Sequence, residues 1–140
     1  MSKNSLNIES IYRIIDVNIN RTQEGLRVCE EIARFVLNSL YFTKKIKGLR
    51  HNLKTLVKRL PFEELLKARD TLSDIGKITF KSESKRKNWQ EIFSANIQRV
   101  KESLRVLEEF SKLINSKISI RFKELRYRIY ELEKRITPKI

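Results

Sequence analysis

The chain has 140 residues, with 31 lysines and arginines against 17 aspartates and glutamates, giving a formal net charge of +14. That is the length of one domain, and with 40% apolar residues but only three glycines and two prolines an all-β fold is disfavoured. The single cysteine, Cys29, excludes an intramolecular disulfide framework, and with one histidine, His51, there are too few soft ligands for a zinc site, so any metal is expected on oxygens.

No apolar run reaches the length of a bilayer span, and residues 1–6 lack the apolar segment of a signal peptide. A soluble cytoplasmic protein with no membrane partner is expected. The excess positive charge fits nucleic acid, an acidic protein surface or a phosphorylated small molecule. It is spread along the whole chain, and the densest run, Lys77 to Lys87, holds one aromatic residue and no nucleic-acid-binding motif, which weighs against nucleic acid. A solvated basic surface is the plainer alternative.

From Ile8 to about Leu40 the residues Ile11, Ile15, Thr22, Leu26, Cys29, Ala33, Val36 and Leu40 keep a three-or-four spacing, one face of a helix. Asp16, Asn18 and Asn20 mark a candidate break within it. A second helix carries Ile46, Leu49, Leu53, Leu56 and Leu60, and Pro61 stops it or opens a short helix through Glu64 and Leu66. The helical period is lost from Ala68 to Asn88. Asn88 with Glu91 reads as a capping box, opening a helix to about Asn115. The last helix places Phe122, Leu125, Ile129, Leu132 and Ile136 on one face and ends before Pro138.

An internal repeat organises these elements. Fifteen residues from Val17 to Glu31 recur 78 residues later from Ala95 to Glu109, with nine positions identical. The next helices correspond too: Leu49-Arg50 with Leu125-Arg126, Leu53 with Ile129, Leu56 with Leu132 and Arg59 with Arg135. The predicted fold is all-α: two repeated helical hairpins, about 8–60 and 89–136, forming a four-helix bundle with pseudo-twofold symmetry, joined by an irregular loop at about 61–88.

The repeat keeps polar residues that packing alone does not require. A helical wheel puts Asn18 mid-arc with Cys29 and Val36, and Arg21 inside the same arc, with Asn96 and Arg99 equivalent in the second hairpin. A buried arginine needs a partner, so either Glu24 and Glu102 neutralise these cations or an anionic ligand does. Arg27 and Arg105 fall on the opposite face, as an exposed ladder with Glu24, Glu30 and Glu31 or with Glu102, Glu108 and Glu109.

Two of the three aspartates, Asp70 and Asp74, lie in the connecting loop with Thr71 and Ser73 between them. Carboxylates so spaced suit Mg²⁺, which takes one or two carboxylates plus substrate phosphates, and Arg69 and Lys77 suit phosphate oxygens. The alternative is a capped turn, with Asp and Thr bonding local amides and Gly76 supplying a positive φ. No Gly-rich phosphate loop and no histidine-based nucleophile pattern is present, and His51 lies on the polar side of its helix.

The doubled Asn-x-x-Arg-x-x-Glu-x-Leu-Arg-Val-x-Glu-Glu, Leu49-Arg50-His51, Ala68-Arg69-Asp70-Thr71 with Asp74 and Gly76, and Leu125-Arg126-Tyr127-Arg128 resemble the small hydroxymethylpyrimidine-phosphate kinase family over about Ile14 to Glu133. Members of that family occur alone or fused ahead of thiamine-phosphate synthase. The resemblance implies ATP-dependent phosphorylation of 4-amino-5-hydroxymethyl-2-methylpyrimidine phosphate to the diphosphate, in thiamine biosynthesis. The synthase reaction is not expected of 140 helical residues, which cannot supply a (β/α)₈ barrel. Where the family usually reads Thr-Pro-Gly-Asp-Val-Gly, this chain reads Thr71-Leu72-Ser73-Asp74-Ile75-Gly76, so the loop keeps its aspartate and final glycine but loses a Pro-Gly turn.

Combined with the residue chemistry, this gives ATP and Mg²⁺ as cofactors and a set of expected roles. Arg21 and Arg99 bind phosphate between the hairpins, and Asn18 and Asn96 contact phosphate or the aminopyrimidine edge. Glu24 and Glu102 orient the arginines. Asp70 or Asp74 holds Mg²⁺, Thr71 and Lys77 contact phosphate, and Arg69 neutralises the transferred phosphoryl group. Two other readings compete: a basic helical RNA- or acidic-protein-binding module, and an accessory domain that docks thiamine-phosphate synthase. The pseudo-symmetry and charged face also admit a homo-oligomer.

Overall fold

The computed structural model describes residues 7–78 and 84–140. The start of the N-terminus (residues 1–6) and the centre of the basic run 77–87 therefore lie outside the described residues. Within them are five α-helices and no strand: α1 (Ile8–Glu31), α2 (Leu40–Val57), α3 (Phe62–Ala68), α4 (Trp89–Ser111) and α5 (Ser116–Ile136).

Each long helix starts where a polar side chain can accept an end amide. The Asn7 and Ser39 side chains accept the amides of Glu9 and Phe42, at 3.0 and 3.1 Å, and Asn88 and Asn115 accept those of Glu91 and Lys117, each at 2.9 Å. Glu91 reaches back to the Lys87 amide at 2.8 Å, one residue earlier than a capping box requires. The expected break at Asp16–Asn20 is absent. Asn18 and Asn20 stay helical by donating to the carbonyls four residues back, of Ile14 and Asp16.

The first helix ends sooner than its apolar spacing suggested. At Ile32–Val36 it widens into a π turn, with the Leu37 amide on the Ile32 carbonyl, and it stops at Asn38, which takes a positive φ of 49°. Likewise α4 stops at Ser111, four residues short of Asn115.

The repeat is expressed as pseudo-twofold symmetry. α1 and α4 pack against each other, α2 lies on α1, α5 on α4, and α2 meets α5, while α3 covers part of α1. Thr22 Oγ1 lies 2.6 Å from Ser103 Oγ, and a Cβ on Gly25 would come within 2.7 Å of Val100. Thr22 opposes Ser103 while Gly25 opposes Val100, so α1 and α4 run antiparallel. With a repeat offset of 78 residues, each of these contacts is the image of the other. A small residue at the crossing of each copy lets the two backbones approach closely.

The polar residues that the repeat retains serve this frame. The Glu30 and Glu108 side chains are each only 6% exposed. Arg50 donates to Glu30 at 3.0 and 3.3 Å, and Arg126 to Glu108 at 3.0 and 3.2 Å. Arg27 and Arg105 pair with the same glutamates and with Glu31 and Glu109. The expected exposed ladder is therefore exposed at its arginines and outer glutamates but not at Glu30 and Glu108, which are clamped by the second helix of each hairpin. Burial of the Arg126 guanidinium opposes its charge, but its bonds to Glu108 and Tyr130 outweigh that and raise its pKa.

Candidate functional site

Where α3 ends, Arg69 turns the chain into extended backbone and drops the loop against α1. Between them lies a cavity of about 540 Å³, lined from α1 by Ser10, Arg13, Ile14, Asp16, Val17, Asn20, Arg21 and Glu24, and from the loop by Arg69, Asp70, Thr71 and Asp74. Three arginines and four carboxylates thus face one cavity of a size suited to a small ligand.

Its anchor is a residue that stands out in the sequence only as part of a candidate helix break. Asp16, 7% exposed, accepts two hydrogen bonds of 2.8 Å from Nε and Nη2 of Arg69. This fork raises the Arg69 pKa, chiefly through the hydrogen bond to Asp16. The planar fork expected to meet a transferred phosphoryl group is therefore engaged, and Arg69 ties the loop to α1. Arg13, also missed, donates to the Asp70 carbonyl at 3.3 Å. The available signal for Asp16 was its divergence, since the second repeat carries Ser94 at that position; nothing in the sequence singled out Arg13.

The loop forms its turns without proline. Asp70 accepts the Ser73 amide at 3.1 Å, and Asp74 accepts the Gly76 amide at 2.8 Å. The Ser73 side chain and then its amide, with smaller help from Arg13, hold the Asp70 carboxyl below its ordinary range. The expected positive φ at Gly76 does not occur, because the aspartate bonds close the turns with ordinary backbone angles. Leu72 and Ile75 point to solvent, 87% and 97% exposed.

Several expected residues sit elsewhere. Arg21 and Arg99 are exposed, not buried. The buried stripe of α1 runs through Ile11, Ile15, Thr22, Leu26 and Cys29, and at 100° per residue Arg21 lies roughly a quarter turn from its centre. Arg21 lines the cavity; Arg99, Asn96 and Glu102 do not. Asn18 faces the core, only 3% exposed, and its amide is used on the Ile14 carbonyl, as that of half-buried Asn96 is on Ile92. Neither Glu24 with Arg21 nor Glu102 with Arg99 forms an ion pair among the described residues. Lys77 folds back on the Leu72 carbonyl at 3.0 Å and does not line the cavity. His51 is exposed.

Among the described residues no three acidic, histidine or cysteine side chains gather as a metal cage. Asp70 and Asp74 nonetheless offer hard oxygen donors on one wall of the cavity, which fits a Mg²⁺ whose remaining ligands come from phosphate and water. Among the same residues no helix is long and apolar enough to cross a membrane.

The fold and cavity define a duplicated helical-hairpin protein with a cavity of mixed charge, three arginines and four carboxylates, between its first helix and the connecting loop. Residues 13–135 match the ThiD2 family, and the chain belongs to that family. It is similar to proteins named thiamine-phosphate synthase: 42% identical over 124 residues to that of Nostoc punctiforme (88% of this chain, 34% of the relative), 41% over 125 residues to that of Synechocystis (89% and 35%), and 37% over 122 residues to that of Rhodopirellula baltica (86% and 32%). The chain spans about a third of the length of these curated relatives. No solved structure matches it at a significant level.

Proposed function

We propose that this chain acts in thiamine biosynthesis as a hydroxymethylpyrimidine-phosphate kinase, moving the terminal phosphoryl group of Mg-ATP onto the phosphate of the pyrimidine monophosphate. The observation that supports it is the cavity in which Arg13 and Arg21 face Asp70, Thr71 and Asp74. In this reading the arginines hold the phosphate of the acceptor, and Asp70 and Asp74 hold Mg²⁺, which supplies charge neutralisation at the phosphate oxygens. Thr71 offers a hydroxyl hydrogen bond, and the Asp16–Arg69 fork keeps the loop in place. An acceptor phosphate oxygen forms a bond to the γ-phosphorus of ATP as the bond to the β-phosphate oxygen breaks, and ADP leaves. The attacking group is a phosphate monoester with a second pKa of about 6, so it is already mostly deprotonated at neutral pH. No general base is required, in keeping with a cavity that lacks histidine. Catalysis then rests on positioning and charge neutralisation.

The names of the relatives favour a second reading, in which the chain is a companion domain of thiamine-phosphate synthase. Both are tested by ADP release from Mg-ATP with the pyrimidine monophosphate, alongside the unphosphorylated pyrimidine and a no-acceptor control. Turnover with the monophosphate alone, abolished by Arg21→Ala or Asp70→Asn with helical circular dichroism intact, is the expected result. No ADP from folded protein, with a changed rate when a thiamine-phosphate synthase is added, would replace the kinase reading with the companion one.

A further inference from the structure

On the outer side of the molecule, away from any residue given a role above, α2 and α5 meet along a groove containing two cavities. One, of about 480 Å³, is lined by residues that include Lys45, Gly48, Leu49, Asn52, Arg128, Glu131, Leu132 and Arg135. Applying the 76-residue offset of this part of the repeat to those positions yields the lining of the other, of about 280 Å³: Arg121, Glu124, Leu125, Arg128, Asn52, Thr55, Leu56 and Arg59. The two cavities are images of each other, and Asn52 and Arg128 belong to both. Folding thereby gathers into one line the cations that are dispersed in the sequence.

The charge in the groove is unbalanced. Glu124 and Glu131 are each taken by an arginine of their own helix, Arg121 at 3.0 Å and Arg135 at 2.9 Å. Lys44, Lys45, Arg59 and Arg128 are exposed and form no ion pair among the described residues. The floor residues Leu49, Leu56, Leu125 and Leu132 are covered by their own helices, each 8% exposed or less, so an amphipathic acidic helix finds little apolar surface to grip. A second copy of this chain would bring like charge. From Lys45 to the end of α2 at Val57 the groove runs for about 18 Å, at 1.5 Å per helical residue, with Arg59 just beyond it.

We propose that this groove binds a linear chain of phosphate groups, the backbone of a single-stranded nucleic acid, through Lys44, Lys45, Arg59 and Arg128. The exposed Tyr41 at one end, with Lys45 Nζ 5.5 Å from its ring centre, offers a stacking surface for a base. Recognition by charge along a line, with one aromatic residue, makes binding salt-sensitive and indifferent to sequence.

The test uses the full chain and a fluorescein-labelled oligouridylate of about ten nucleotides, followed by anisotropy across a salt series. Arg59→Gln with Arg128→Gln is compared with Lys67→Gln with Lys112→Gln, which removes the same charge outside the groove. The groove variant is expected to bind about tenfold more weakly and to lower the salt slope by about 1.4, the value for two phosphate contacts on a single strand, while the control keeps both near wild type. Inorganic polyphosphate competing as well as unlabelled RNA would retain the phosphate-chain site and name the simpler source. Equal losses in both variants, competition by polyglutamate as strong as by polyphosphate, or no binding at low salt would each overturn the proposal. These outcomes are independent of ADP release, because no groove residue lines the α1 cavity.

Discussion

Replacing Asp16 by Asn keeps the shape of the side chain and removes the charge that grips Arg69. Both bonds of the fork are 2.8 Å long, and the side chains are 10% and 42% exposed. A pair near 4 Å at an effective dielectric of 20 attracts by about 4 kcal/mol before desolvation, and holding the arginine rotamers costs up to about 2. A fully buried pair broken from one side loses about 3–5 kcal/mol, and an exposed one no more than about 1. With one partner buried and the other half in water, about 1–2 kcal/mol is expected. That energy sets how often the 69–78 segment leaves α1, since the segment brings little apolar burial of its own. A loss of this size raises the detached population by roughly 5–30 fold, and cleavage of a fast-opening segment follows that population. Tryptic cut rates after Lys77 should therefore rise by that factor in Asp16→Asn, with far-UV circular dichroism unchanged and Asp16→Glu restoring most of the protection. Arg69→Ala should match it, and the double variant should be no worse than either single one. Additive effects in the double variant, or unchanged cleavage in Asp16→Asn, would refute the anchoring role and return Arg69 to the ligand.

Three further outcomes follow from other parts of the molecule. Gly25→Ala gains about 1 kcal/mol of helix propensity but sets a Cβ 2.7 Å from Val100 and 3.1 Å from the Asn96 carbonyl; overpacking of about 1–3 kcal/mol should prevail, lowering the urea midpoint, with Val100→Ala less damaging in that background than in wild type. Burial, with a smaller contribution from the charge of Glu133, pushes the Cys29 thiol up to about 12, so the native protein should resist a thiol reagent at pH 8 and react once unfolded. The folded pKa of Asp70 is depressed, so its contribution to the loop is present above the ordinary carboxyl value of about 4 and is lost as pH falls through the lowered value. Protection of the loop from an acid protease should accordingly persist at pH 4 and fall below it, while Asp70→Asn is less protected already at pH 4.

Much of the frame was legible because duplication writes the same physics twice. The apolar spacings of both copies, matched at Leu53 with Ile129 and Leu56 with Leu132, led directly to paired hairpins, and Asn88 with Glu91 marked the start of α4. The π turn at Ile32–Val36 was not legible, since the apolar period runs on through Val36 and only the backbone reveals the widened ring. Placing Arg21 in the core failed for a similar reason. A wheel gives relative angles along a helix, but the neighbours that fix its centre, α4 and α2, come from tertiary packing.

The loop was legible as chemistry but not as geometry. Its aspartates stood out by rarity, yet that Asp16 receives Arg69 depends on where α3 sets the chain down across 53 residues of sequence. The repeated polar residues also invert the first inference drawn from them. Glu30 with Arg50 and Glu108 with Arg126 recur because each hairpin needs the same clamp, and Asn18 and Asn96 recur because each helix makes the same internal bond. What both copies keep is largely the frame. Asp16, Arg69 and the Asp70–Asp74 turn occur once, and beside the copy that carries them lies the cavity where three arginines and four carboxylates converge. In this duplicated chain, the residues without a counterpart are the better guide to the candidate site.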